Sequence, residues 1–189
     1  MKKLLTLAIT ALFVTACNAK PNTAETKVQK NQKIAVAYFS ATGTTKRAAE
    51  NLAKAAQADL YEIKPLAPYT NADLNWTDKN SRCTVEMNDK NARPALTAEP
   101  FAAEKYDTVF LGFPIWWGTA PRVISTFLEK YDFSNKRIIL FATSGGSGLG
   151  NTDKDLKPSV APSAKIIKGK VLNGNPSVDE LKAWVNSLN

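Results

Sequence analysis

Apolar runs of strand length recur along the chain, each followed by a polar or glycine-rich turn, and most of those turns lead into a segment with helical spacing. The first run is Ile34-Ala35-Val36-Ala37-Tyr38-Phe39. Its unbroken apolar character fits a strand of a parallel sheet covered on both faces. From Thr44 onward, Ala48, Ala49, Leu52, Ala53 and Ala56 recur at the spacing of an amphipathic helix. Asp59 to Ile63 reads as a second strand, stopped by Pro65 and Pro68. Residues 66 to 100 are polar, with a weak helical pattern near Asn71 to Met87 and breaks at Pro94 and Pro100. So long a connection is unusual and often functional. Asp107 to Phe113 gives a third strand, and Pro121 opens a helix carrying Val123, Ile124, Phe127 and Leu128 on one face. Arg137 to Phe141 is a fourth strand, and Ala164 to Leu172 holds a fifth. Ser177 and Glu180 form a capping box for a last helix, which buries Leu181, Trp184, Val185 and Leu188. Strands alternating with helices predict a three-layer α/β fold on a parallel sheet.

Three of the turns carry candidate chemistry. Ser40-Ala41-Thr42-Gly43-Thr44-Thr45 lies between the first strand and its helix. Unpaired N–H groups at a helix start, the helix dipole and neighbouring hydroxyls together favour an anion. An ordinary N-capped helix, with Thr42 or Thr44 as cap, is the competing reading. One cap needs one hydroxyl, however, and four stand here. The loop lacks both the Gly-Lys-Ser/Thr ending of a triphosphate loop and the three glycines of a dinucleotide fingerprint, so a phosphomonoester held without a metal fits it better. Pro114-Ile115-Trp116-Trp117-Gly118 follows the third strand. Two adjacent tryptophans in a surface loop cannot both point inward, so a flat ligand stacked on an indole accounts for at least one. One buried indole beside another covering a helix is the alternative. Thr143-Ser144-Gly145-Gly146, after the fourth strand, brings glycines that let the backbone approach a ligand. All three loops follow strands, and ligands of open α/β sheets bind outside the strands' carboxyl ends.

Ser40 to Thr45 resembles the phosphate loop of the flavodoxins, Thr/Ser-x-Thr-Gly-x-Thr, and Pro114 to Gly118 is similar to the loop that flanks their flavin ring. The resemblance covers about residues 33 to 188. It implies a flavodoxin-like, doubly wound five-stranded parallel sheet in the order 2-1-3-4-5, with FMN as cofactor. On this likeness Ser40, Thr42, Gly43, Thr44 and Thr45 hold the phosphate. Pro114, Ile115, Trp116, Trp117 and Gly118 flank the ring, and Thr143, Ser144, Gly145 and Gly146 contact its polar side. Asn91-Ala92-Arg93-Pro94 resembles a signature of one flavodoxin-like subgroup, with Arg93 either reaching a ligand or forming a structural ion pair. No catalytic side chain and no metal ligand is implied.

The amino terminus changes the setting. Lys2 and Lys3, the apolar Leu4 to Val14 and the small Thr15-Ala16 form a bacterial secretory signal, residues 1–16. Val14-Thr15-Ala16-Cys17 resembles a lipobox, with Cys17 lipidated. The apolar run is shorter than the ~20 residues a membrane span needs, so the lipid is the anchor. Asn18, where an aspartate would resemble an inner-membrane retention signal, tilts the placement toward the outer membrane on its periplasmic side. Residues 17–32 are a polar tether, and 33–189 form the domain. Loss of residues 1–16 removes Lys2 and Lys3, leaving 173 residues and lowering the net charge from +8 to +6. Flavodoxins are usually acidic and cytoplasmic, so this basic, exported chain departs from them. Its lysines are spread along the chain rather than clustered with aromatics, which argues against nucleic acid.

Absent residue types narrow the chemistry. The chain contains no histidine, which removes Ser-His-Asp and Cys-His catalysis and the common zinc sites. Cys83 alone remains beside the lipidated cysteine, so thiol–disulfide exchange within the chain is excluded and Cys83 reads as a bystander. Chemistry therefore belongs to a cofactor. The signal lacks twin arginines, so FMN is acquired after export, where NAD(P)H is scarce. The expectation is an envelope electron carrier exchanging with a membrane or envelope redox protein or a quinone. An FMN-dependent NAD(P)H or quinone reductase is the alternative, and a non-redox module for another phosphorylated aromatic ligand the third reading. Oligomeric state is left open.

Overall fold

The computed structural model describes residues 33–188. The signal, the tether and the Cys17 lipidation site lie outside the described residues. Five strands, β1 (Ile34–Tyr38), β2 (Asp59–Glu62), β3 (Thr108–Pro114), β4 (Arg137–Thr143) and β5 (Lys165–Val171), form one parallel sheet in the order β2-β1-β3-β4-β5. Helices α1 (Thr44–Ala56), α2 (Arg82–Asn88), α3 (Arg122–Lys130), α4 (Thr152–Leu156) and α5 (Val178–Asn186) connect and follow them. The expected fold class and strand order are present.

Period-two alternation divides the strand side chains between two cores. Ala35, Ala37, Val109, Leu111, Phe113, Ile138 and Leu140 point to the face covered by α3, where Phe101, Phe127 and Phe133 fill the space left by the alanines. Val36, Tyr38, Phe110, Ile139 and Phe141 point to the other face, under α1 and α5. There Trp184 of α5 is buried edge-on to Phe110. The capping box of α5 is formed, with Ser177 N–H donating to Glu180 Oε2 (2.7 Å) and Glu180 N–H to Ser177 Oγ (3.3 Å).

Four local details differ from the sequence expectation. Phe39 lies beyond β1, although its N–H still donates to Gly112 O at 2.9 Å. Pro121 is the N-cap of α3 rather than its first helical residue. The helix expected near Asn71 to Met87 is only α2. Ahead of it Thr70–Asp73, Asn75–Thr77 and Asp78–Asn80 close turns through side-chain bonds to their own backbone, which compete with helical hydrogen bonding. The five-residue α4 buries only Thr152 and Leu156, too few positions to show a period.

On the α3 side Arg93 forms a two-pronged ion pair with Glu129, both contacts 2.8 Å, so its role here is the structural one. The Arg93 bond, helped by Ser159, holds the Glu129 carboxyl below its ordinary value. A carboxylate whose folded pKa is depressed stabilises the fold above its unfolded pKa, and loses that contribution as pH falls through the folded one. The thermal midpoint is therefore expected to fall below the ordinary carboxylate range. Arg93→Ala should flatten that acid limb modestly, because both side chains are about a third exposed and screened. Melting curves across the acid range check this.

Candidate functional site

The loops after β1, β3 and β4 meet at the carboxyl edge of the sheet around a cavity of about 530 Å³, within the size range of small-ligand sites. Its wall includes Ser40, Ala41, Thr42 and Thr45 from the first loop, Pro114 to Trp117 from the second, and Thr143 from the third.

The first loop is built to leave donors free. Gly43 is the N-cap of α1 at φ 83°, and no side chain caps the helix, so none of the four hydroxyls serves as the cap. Glycine suits this left-handed position because it has no Cβ to clash. Thr42 and Thr44 are exposed, and their hydroxyls contact only each other at 3.4 Å. Ser40 Oγ lines the cavity, is buried, and has no hydrogen-bond partner among the described residues. A buried unpaired hydroxyl costs on the order of 1–3 kcal/mol unless a partner arrives. Thr45 behaves differently. Its hydroxyl is buried against that of Thr143 at 2.8 Å, which ties the first loop to the third rather than leaving both free for a ligand.

In the second loop Trp116 and Thr119 exchange backbone bonds of 2.9 and 3.0 Å, closing a tight turn. Its central residues, Trp117 and Gly118, both have positive φ, 48° and 79°. That conformation costs a side-chain-bearing residue about 1–2 kcal/mol, and such strain gathers at functional sites. Trp117 stands out at the cavity rim, 47% exposed. Trp116 instead is wedged edge-on between Phe39 (5.7 Å) and Tyr69 (5.3 Å). Tyr69 is itself fixed: Arg82 lies 4.0 Å over its ring, and its hydroxyl donates to Glu86, which also pairs with Arg82 at 2.6 Å. Burial and the Glu86 bond push the Tyr69 phenol well above its ordinary value, so it stays neutral. The two adjacent indoles thus divide the work, one braced as wall and one free as a stacking face. Trp117→Gly should leave stability within about 1 kcal/mol, because relief of strain offsets the added chain entropy. The same change should weaken binding of a stacked aromatic ligand about tenfold through loss of the aromatic face. Thermal melts and flavin titrations on one sample check both halves.

The remaining expected residues lie at the margin. Gly43, Thr44 and Gly118 flank the cavity without lining it. In the third loop Ser144 Oγ accepts from the N–H groups of Gly146 (3.2 Å) and Ser147 (2.9 Å), while Asn173 holds the Ser144 backbone at both ends. The loop is folded on itself, with Gly145 and Gly146 exposed. Three further residues line the cavity from the long connection: Leu74, Trp76 and Cys83. Trp76 is 73% exposed, and its signal in the sequence was an isolated tryptophan within a polar stretch. Cys83, read as a bystander, is buried in the wall. Among the described residues no helix is long and apolar enough to cross a membrane.

An open parallel sheet in this strand order, with a hydroxyl-rich loop and an indole-lined cleft at its carboxyl edge, defines the flavodoxin-like class. The family profile described as flavodoxin matches residues 33–188, and the chain belongs to the flavodoxin family. Two solved structures agree in fold and sequence. A candidate flavoprotein from Bacteroides eggerthii is 48% identical, with a TM-score of 0.78, over 83% of this chain and 98% of the other. One from Bacteroides uniformis is 49% identical, with a TM-score of 0.77, over 83% and 99%. A Lactobacillus acidophilus flavoprotein in complex with FMN shares the fold at 19% identity and a TM-score of 0.60, over 82% and 99%. No curated protein sequence matches.

Proposed function

We propose that the protein binds FMN and carries electrons at the bacterial envelope, tethered through lipidated Cys17. The observation that carries the FMN reading is Ser40 Oγ, a buried hydroxyl without a partner in the cavity wall beside an uncapped helix start. A phosphate there would accept from Ser40, Thr42 and Thr44 and from the first N–H groups of α1. Trp117 would cover one face of the ring, with Trp116 behind it. Ser144 to Gly146 would reach the polar edge once their present internal bonds open. FMN, when bound, supplies the redox chemistry. The chain's part is to orient the ring, exclude water from its buried face, and set its potential through stacking. No side chain need hold or move a proton.

One feature favours a quinone as direct redox partner. The cavity wall continues past the flavin loops onto apolar Leu74 and the exposed Trp76, an apolar surface for a flat, uncharged molecule to approach. Rapid mixing of the reduced flavoprotein with a quinone, and of the oxidised form with NADPH, distinguishes the roles. Fast oxidation with slow NADPH reduction supports the envelope carrier, whereas rapid NADPH turnover makes it a reductase. Envelope anchoring is tested by fractionation. Cys17→Ala should move the protein from the membrane fraction to the soluble one.

A further inference from the structure

A second cavity, of about 480 Å³, lies on the far side of the Trp116–Thr119 turn. Its walls are the exit of α2 (Lys90 to Arg93), the first turn of α3 (Arg122, Ser125), and α4 with the turn after it (Lys154 to Ser159). Four cationic side chains line it, Lys90, Arg93, Arg122 and Lys154, against one carboxylate, Asp155.

The cations are not equivalent. Arg93 is used up by Glu129 and by the carbonyls of Lys90 and Ala92. Arg122 spends Nε and one terminal nitrogen on the carbonyls at the end of α2, those of Glu86, Met87 and Asp89. Its Nη1 makes no hydrogen bond among the described residues. The ammonium groups of Lys90 and Lys154 form no ion pair there either. Ser125, only 7% exposed, also lines the cavity. Its hydroxyl faces a cavity of net positive charge. The amino-terminal end of the nine-residue α3 adds its dipole in the same sense.

We infer that this cavity is a second anion site, separate from the loop at Ser40 to Thr45, and that it takes the phosphate group of a small ligand, free or esterified. A planar carboxylate is recognised best by an open arginine fork, and neither arginine offers one here. The donors are two ammonium point charges, one Nη group and a hydroxyl, which suit a tetrahedral oxyanion. The cavity's concavity and size match a small molecule rather than a flat protein face. Thr119 lies in its wall and bonds Trp116 across the turn. Occupancy is therefore felt at the loop that carries Trp117, whether or not FMN proves to be the ligand of the first cavity.

The test is titration of the isotope-labelled full-length protein with inorganic phosphate, glycerol phosphate and citrate in turn, following backbone amide shifts. Phosphate or its ester should move Thr119, Ser125 and Lys154. Lys90→Ala/Lys154→Ala should weaken that binding about tenfold, because both ammonium groups are exposed and their attraction is screened by solvent and salt, while shifts at Thr42 to Thr45 titrate as before. Tighter binding of the ester or of the free ion supports the site and names the source. Shifts confined to Thr42–Thr45, citrate binding as tightly as phosphate, or an unaffected lysine double variant would overturn the assignment.

Discussion

Gly169→Ala is expected to destabilise the protein by about 3 kcal/mol or more, lowering the thermal midpoint by roughly 10 °C. Gly169 is the extra residue where β5 slips against β4: Leu140 pairs with Lys168, and Phe141 with Lys170. A Cβ at Gly169 would collide with the Leu140 carbonyl oxygen and lie 2.9 Å from Cζ2 of the Trp184 ring. A side chain can swing away, but the Leu140 carbonyl belongs to an interior strand and cannot, so the strand pair or the α5 contact must open. Differential scanning calorimetry of the variant reads the loss. A wild-type midpoint would mean that the bulge is not packed as described.

Thr42→Ala/Thr44→Ala should leave the melting curve almost unchanged and weaken FMN binding about a hundredfold. Both side chains are exposed and contact only each other, so the fold loses little. A hydrogen bond to a charged group contributes about 1.5–3 kcal/mol, and two such losses amount to at least two decades in affinity. Thr45→Ala should behave in the opposite way. Its buried bond to Thr143 is structural, so stability falls and affinity follows only indirectly. Affinity titrations beside thermal melts separate the two kinds of threonine.

The parts of the fold legible in the sequence are those buried on both faces. β1, β3 and β4 are continuous apolar runs because helices cover both sides of the sheet, and the loops after them were placed together by the rule for open α/β sheets. The long connection was opaque for a physical reason. Its order comes from Thr, Asn and Asp side chains bonding nearby backbone, which leaves no periodicity, and from tertiary contacts such as Arg82 over Tyr69. For the same reason nothing local marked Leu74, Trp76 or Cys83 as cavity residues. The flavodoxin likeness makes Thr45 and Thr143 ligand contacts, and only the packing of α1 against the end of β4 shows that their hydroxyls meet each other. The division between Trp116 and Trp117 was equally hidden, because it depends on Phe39 and Tyr69, which arrive from elsewhere in the chain.

FMN is the ligand proposed for the cavity between Ser40 and Trp117. Titration of purified apo-protein with FMN, following the quenching of flavin and tryptophan fluorescence together, tests it most directly. Saturation at one FMN per chain, with submicromolar affinity and quenching of both signals, is the predicted result. Absence of binding at micromolar FMN would contradict the claim and leave the cavity to another anionic ligand.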